Sequence, residues 1–382
     1  MASLTKYIIL RYFLNALSIA IGFCASTAWA QSGLDDIVLP DGFSIEIYSN
    51  DVPNARSMAL GDNGTVFVGG RKGSNVYALV PQESGGVTVV TVASGLKTPN
   101  GIAFHDGDLF VAETTRITRY VDIENKLDSS PEPLLVKDSF PKASNHTWRY
   151  IAFGPDDKLY ISIGAPCNIC DRKGFANISR LNADGTGLEI YAEGIRNSVG
   201  FTWHPQTGDL WFTDNGRDML GDDTPPDELN RATRSGMHFG YPYCHGGEVK
   251  DPEFGDRRKC GEFTAPAQKL GAHVASLGVK FYDGDMFPQE YRGQIFIAEH
   301  GSWNRSKKSG YRISLVRLDG NEPQSYETFA EGWLQGDDVS GRPVDILILH
   351  DGSMLVSDDM TGRIYRIRYT NPLTEGIVSA TD

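Results

Sequence analysis

The sequence has no long helical stripe: after residue 30, no window repeats apolar residues at helical spacing for more than a few turns. That excludes a helical bundle or a helix-wrapped parallel sheet as the main architecture. It also lacks a cationic excess. Lys and Arg number 36 against 49 Asp and Glu, a formal charge of −13. An acidic surface argues against nucleic acid and anionic lipid as partners. A haem-attachment Cys-x-x-Cys-His is missing too, because Cys170 is followed by Asp171. Cysteine itself is scarce, with five in 382 residues.

The first thirty residues read as a secretory signal peptide. Lys6 and Arg11 give a basic start, Phe13 to Cys24 is largely apolar, and Ala28-Trp29-Ala30 is a small-x-small cleavage pattern. The apolar core is short and interrupted by Asn15 and Ser18, so membrane contact is expected only in transit, with an uncleaved N-terminal anchor as the alternative. A mature chain starting at Gln31 carries −15 and would be periplasmic or secreted. Its four cysteines are Cys167, Cys170, Cys244 and Cys260. An even count in an oxidising compartment favours disulfides, and pairing 167 with 170 and 244 with 260 closes two short loops. The single Cys-x-x-Cys finds no second copy, which argues against a Cys₄ zinc site.

What the chain does have is a repeated strand pattern. Copies start near Ser57, Asn100, Arg149, Val199, Leu277 and Val344. Each reads as an alternating apolar strand, an Asp/Gly/Pro turn and an aromatic or aliphatic strand, and the fifth carries an insertion in its turn. Six hairpins at the spacing of a four-stranded unit predict an all-β, six-bladed β-propeller over residues 31–382 as a single domain. A β-sandwich is the competing architecture. In a propeller, loops from distant blades converge at the mouth of the central channel.

Candidate chemistry gathers in four places. Asp214 to Asn230 follows an expected strand and holds six acidic side chains in seventeen residues, with Gly and Pro-Pro keeping it a loop. Such a loop suits Ca²⁺, which takes six to eight oxygen ligands. His146, Arg196 and Arg342 stand at equivalent entries to the third, fourth and sixth hairpins, so they should share one face. Glu299 to Arg305 mixes charge with Trp303, a combination that suits a flat aromatic cofactor. Singly, each has a bland alternative: a turn histidine, a surface ion pair, a blade-connecting loop. His105, His204 and His350 lie in hairpin turns and read as structural, whereas His273 and His300 are less easily dismissed.

With these residues in view, the chain resembles the glucose/sorbosone dehydrogenase family over roughly residues 40 to 370. The resemblance is carried by His146 ahead of Phe153-Gly154-Pro155-Asp156, by Gly194-x-Arg196-Asn197-x-x-Gly200, and by Asp227-Glu228-Leu229-Asn230 with Phe239-Gly240-Tyr241-Pro242. Leu270-Gly-Ala-His-Val-Ala275, Ala298 to Arg305 and Gly341 to Asp345 are similar to the sorbosone-dehydrogenase-like branch. The family consists of exported propellers that oxidise sugars with pyrroloquinoline quinone (PQQ) and Ca²⁺. The resemblance implies that His146 is the base for the sugar C1 hydroxyl and that hydride passes to the quinone. It implies that Arg196 polarises the quinone oxygen, and that Asn197, Trp303, Arg305 and Arg342 hold the cofactor. Main-chain oxygens of Gly216 and Arg217 would hold one Ca²⁺, with Asp227 and Glu228 at a second, structural one. A small sugar would be the substrate, and a separate cytochrome or quinone would take the electrons. The chain departs from the family pattern at Val344, where a second arginine is expected, near Gly301, where a lysine is expected, and at Asn145, where an acid often precedes the base. A Ca²⁺-dependent lactonase and a non-catalytic sugar- or protein-binding propeller are the other readings.

Overall fold

The computed structural model describes residues 34–129 and 131–370. The expected signal peptide lies outside them. Among the described residues, no helix is long and apolar enough to cross a membrane.

The strands form six antiparallel blades of a β-propeller. Every hairpin expected from the sequence is the first hairpin of a blade. Local chemistry explains the turns. In blade 2, strand Gly101–His105 pairs with Asp108–Ala112, and His105 opposite Asp108 leaves only Asp106-Gly107 to reverse the chain. Both turn residues have positive φ, 51° and 79°, which Asp tolerates and Gly prefers. Blade 1 runs Ala55–Leu60, Val66–Gly70, Val76–Pro81 and Val87–Ala93. Blade 3 starts with Ile151–Phe153 and Lys158–Ile163, and blade 5 with Ser276–Phe281 and Ile295–Glu299.

Two features were not expected. Blade 6 comprises Pro343–Ile348, Met354–Asp358 and Arg363–Tyr369, and its fourth strand is Phe43–Ser49 from the other end of the chain. Phe43 pairs with Tyr369, so the two ends clasp the ring. In blade 4, residues 233–267 leave between the third strand, Pro226–Ala232, and the fourth, Gln268–Ala272. This insertion carries the Cys244–Cys260 disulfide and lays Met237–His238 parallel to blade 3's outer strand. The other bridge joins Cys167 to Cys170, so both expected pairings form.

The core is divided into layers between neighbouring blades. Phe67, Ala78, Ile102 and Val111 fill the space between blades 1 and 2, while Phe296, Ile313, Ile346 and Tyr365 fill that between 5 and 6. Each such side chain contributes about 1.5–3 kcal/mol by leaving water. Replacing fully buried Phe296 by Ala would cost about 3–5 kcal/mol. First strands of adjacent blades pack together around the axis, and the loops beside them open onto one face.

Candidate functional site

The entries to five blades, all but the second, and the loops after the second strands of blades 1, 4 and 5 line a cavity of about 310 Å³ at the axis. It continues into a rim pocket of about 390 Å³, with which it shares His146, Trp148, Arg196 and Trp303. The three equivalent entries expected to share a face do so, since His146, Arg196 and Arg342 all line this cavity.

His146 sits with a left-handed backbone, φ 47°, unusual outside glycine and typical of residues held by their surroundings. Gly164 makes room for it: a Cβ there would lie 2.6 Å from the His146 Cβ. The His146 Nδ1 lies 2.8 Å from the Ala165 carbonyl oxygen, which can only accept, so Nδ1 carries the proton and Nε2 keeps its lone pair. Burial, with Arg196 and then Arg71 nearby, pushes its pKa down from 6.5 to about 3 against the raising effect of that hydrogen bond. At neutral pH the imidazole is therefore an uncharged base.

Arg196 is buried, and each of its three side-chain nitrogens donates. Nε donates to the Asn168 carbonyl (2.9 Å), Nη1 to the Asn215 carbonyl (3.1 Å), and Nη2 to Asn168 Oδ1 (2.9 Å) and Asp218 Oδ2 (2.8 Å). The main-chain N–H groups of Arg196 and Asn197 donate to the two oxygens of Asp214, which is how Asn197 reaches the cavity wall.

The opposite wall, from blades 1, 5 and 6, is strongly cationic. Arg56, Arg71 and Arg342 line it beside His300. Arg56 and His300 share Asp359, at 3.1 and 2.8 Å. Arg342 donates to the carbonyls of His300 (3.0 Å) and Gly301 (2.7 Å). The Arg71 guanidinium lies 3.9 Å from the centroid of the Trp148 ring and forms no ion pair among the described residues. Burial, then Arg56, pushes its pKa down to about 10. Sequence reasoning missed Arg56, Arg71 and Trp148. Arg56 lies inside the first strand of its blade, Ala55–Leu60, at the register of Val199 rather than of Arg196, so the equivalence argument would not have found it.

The metal residues divide. Gly216 and Asp227 line the cavity, but the Arg217 side chain turns away to Asp251. Asp227 accepts from the N–H groups of Gly216 (2.9 Å) and Ser276 (3.0 Å), and Glu228 from Gly246 N–H (2.6 Å) and Asn230 Nδ2 (2.9 Å). Asp214, Asp227 and Glu228 are buried, and none joins an ion pair among the described residues. Burial raises all three carboxyls, Asp227 to about 6 and Glu228 to about 7; for Asp214, Glu228 adds to burial. Such uncompensated buried acid favours a nearby cation. Yet among the described residues no three His, Cys, Asp or Glu side chains are arranged to hold a metal. The charge fits Ca²⁺, while most of its ligands would have to be main-chain oxygens of this turn.

Trp303 lines the cavity and is 69% exposed, so it stands at the rim as an open aromatic face. Arg305 is not brought to the cavity lining: it donates to the Asp222 carbonyl and pairs with Asp223 at 2.9 Å, bracing the acidic loop. Val344, where a second arginine is expected, packs with Val199, Leu277 and Trp148 as apolar filling. The cations near the cavity come instead from Arg56 and Arg71.

A flat polyanion fits this cavity. Four arginines face it, Arg71 lacks a counter-charge, and two tryptophans offer aromatic faces. The TrAA12-like family matches residues 37–370. An uncharacterised protein of Borreliella burgdorferi is 35% identical over 359 residues, covering 90% of this chain and 93% of its own. A pyrroloquinoline quinone-dependent sugar dehydrogenase of Hypocrea jecorina is 23% identical over 394 residues, covering 86% and 88%. Among solved structures, the holo PQQ domain of pyranose dehydrogenase from Coprinopsis cinerea has the same fold, with a TM-score of 0.76 at 17% identity over 87% of this chain and 97% of that one.

Proposed function

The chain belongs to the TrAA12-like family, and from that premise we propose that it is a PQQ- and Ca²⁺-dependent dehydrogenase, periplasmic or secreted, that oxidises an aldose or aldehyde sugar at C1. The observation that carries this reading is the pairing, in one wall, of an uncharged His146 with a clamped Arg196, facing a cationic wall suited to the carboxylates of PQQ. The relatives named for PQQ and sugar support it.

When bound, PQQ supplies an ortho-quinone that accepts a hydride. The residues do the rest. His146 Nε2 takes the proton of the sugar hydroxyl, and Nδ1–H, fixed on Ala165, keeps the ring in that tautomer. Arg196 presents a fixed positive charge where negative charge develops, at no reorganisation cost because its plane is already set. Arg56, Arg71 and Arg342 would bind carboxylates, and Asn197, Trp303 and Trp148, which line the same cavity, would hold the ring. Gly216 and Arg217, on a loop that the structure shortens to 215–225, and Asp227 and Glu228, on the strand that follows it rather than in the expected loop, would take Ca²⁺ through main-chain oxygens and nearby buried charge. Arg305 serves the cofactor indirectly, by holding that loop. The sequence carries no haem-attachment motif, so electrons leave to a separate cytochrome or quinone.

The test mixes purified protein with PQQ and Ca²⁺, adds a panel of aldoses, and follows quinone absorbance. Sugar-dependent reduction requiring both additions is expected. Failure of PQQ to bind would overturn the reading in favour of a binding propeller.

A further inference from the structure

Asn168 joins the loops of the reactive wall. It lies inside the Cys167–Cys170 bridge, on the segment that follows the second strand of blade 3. Its main-chain carbonyl and its Oδ1 each accept from Arg196, both at 2.9 Å. The same Oδ1 accepts from the Asp218 N–H at 2.9 Å, and Nδ2 donates to the Asp218 carbonyl at 3.0 Å. The Asp218 carboxylate then takes Arg196 Nη2. A single asparagine therefore sets both the guanidinium and the acid opposite it.

The rest of the segment reinforces this. Ala165 N–H donates to the Arg196 carbonyl at 2.7 Å, and the Ala165 carbonyl fixes His146. At the far end, Cys170 N–H donates to the hydroxyl of buried Tyr241 at 3.0 Å. A free arginine side chain carries about 2 kcal/mol of rotamer entropy. Holding its fork by the main chain and side chain of one residue removes most of that freedom, provided the residue is itself fixed. The disulfide supplies the fixing, since it closes a ring around Asn168 and Ile169. Cys167 and Cys170 are both half-buried, whereas the second bridge has one half-buried partner, Cys260, and one buried, Cys244.

We propose that Asn168, locked by the Cys167–Cys170 disulfide, is a positioning residue for Arg196, and that opening this bridge with a dithiol lowers turnover by releasing the guanidinium. The effect on turnover rests on the dehydrogenase reading; the clamp itself does not. In the exchange the dithiol gives up two electrons and two protons, leaving Cys167 and Cys170 as thiols and closing as its own disulfide.

The experiment compares Asn168→Ala, Asn168→Asp, Cys167→Ser/Cys170→Ser and Cys244→Ser/Cys260→Ser with the unaltered protein. Two readouts are taken: the rate at which phenylglyoxal modifies Arg196, mapped by mass spectrometry without cofactor, and kcat and KM with PQQ, Ca²⁺ and sugar. Asn168→Ala and the 167/170 double variant are expected to label Arg196 about tenfold faster and to lose kcat by about 10- to 100-fold with sugar KM little changed. Asn168→Asp keeps the Oδ1 acceptor but sets a second oxygen against the Asp218 carbonyl in place of Nδ2, so it should label Arg196 more slowly than Asn168→Ala while recovering only part of kcat. The 244/260 variant should behave as the unaltered protein; if it does not fold, dithiothreitol titration with mapping of which bridge has opened replaces it. Unchanged Arg196 labelling in Asn168→Ala and the 167/170 variant would overturn the proposal, as would an Asn168→Asp no better than Ala. If no sugar reduces PQQ in the unaltered protein, the dehydrogenase reading fails, and the labelling arm still decides the clamp.

Discussion

The two walls of the cavity handle charge in opposite ways. On the blade 3–4 side, Arg196 is matched to Asp218 and three further acceptors, and His146 is held neutral. On the blade 1–5–6 side, Arg56 and His300 share one carboxylate, Asp359, while Arg71 and Arg342 have none among the described residues; against the raising effect of burial, His300 and Arg56 drive the Asp359 pKa far down. A compensated wall keeps its geometry whether or not a ligand arrives. An uncompensated one is completed only by an anion. On the proposed function, the first wall acts on substrate and the second binds cofactor.

The largest effect should come from His146→Ala, a loss of about 10²- to 10⁴-fold in kcat with PQQ affinity unchanged, read by steady-state kinetics beside PQQ titration. Equal turnover would remove the base from this wall. Next, Arg71→Ala should weaken PQQ about 10- to 100-fold while kcat at saturating cofactor stays near normal. A fall in kcat instead would erase the distinction between the walls.

The pH dependence sharpens the same contrast. Because the folded-state pKa of His146, about 3, lies below its ordinary 6.5, the unfolded chain binds the extra proton between those values. This residue's contribution to stability is therefore present above about pH 6.5 and is lost as pH falls toward 3. The acid limb of kcat/KM should accordingly fall below the ordinary histidine range; a limb at pH 6.5 would show His146 to be freely solvated. The smallest effect belongs to the acidic loop. A chelator should lower Tm by about 2–4 °C per kcal/mol of lost cation binding, and Asp227→Asn with Glu228→Gln should abolish that response. A chelator response surviving in the double variant would move the cation elsewhere.

The six first hairpins were legible because period-two burial and Asp-Gly turns are local signals. The clasp of Phe43–Ser49 against Arg363–Tyr369 was not, since nothing local marks two strands from opposite chain ends as partners. His146, Arg196 and Arg342 were found through positional equivalence, which a propeller turns into proximity. Arg71 was missed because Gly69-Gly70-Arg71-Lys72-Gly73 reads as an exposed turn. Arg305 misled for the complementary reason: a cation beside Trp303 looks like a ligand contact until its carboxylate partner, Asp223, comes into view. Asn168 was hidden by its neighbours, because a Cys-x-x-Cys draws attention to the sulfurs rather than to what they enclose.

The clasp also imposes an order in time. Arg56 on blade 1 meets Asp359 on blade 6 across the seam that the clasp closes. A chain made from its N-terminus has Arg56 early but must wait for residues 363–369 before the seam can shut. The cationic wall is thus among the last parts of the molecule to take shape. Anion capture there becomes a certificate of completion: a truncated or half-closed ring can contain every residue of the compensated wall and still lack the site for an anion.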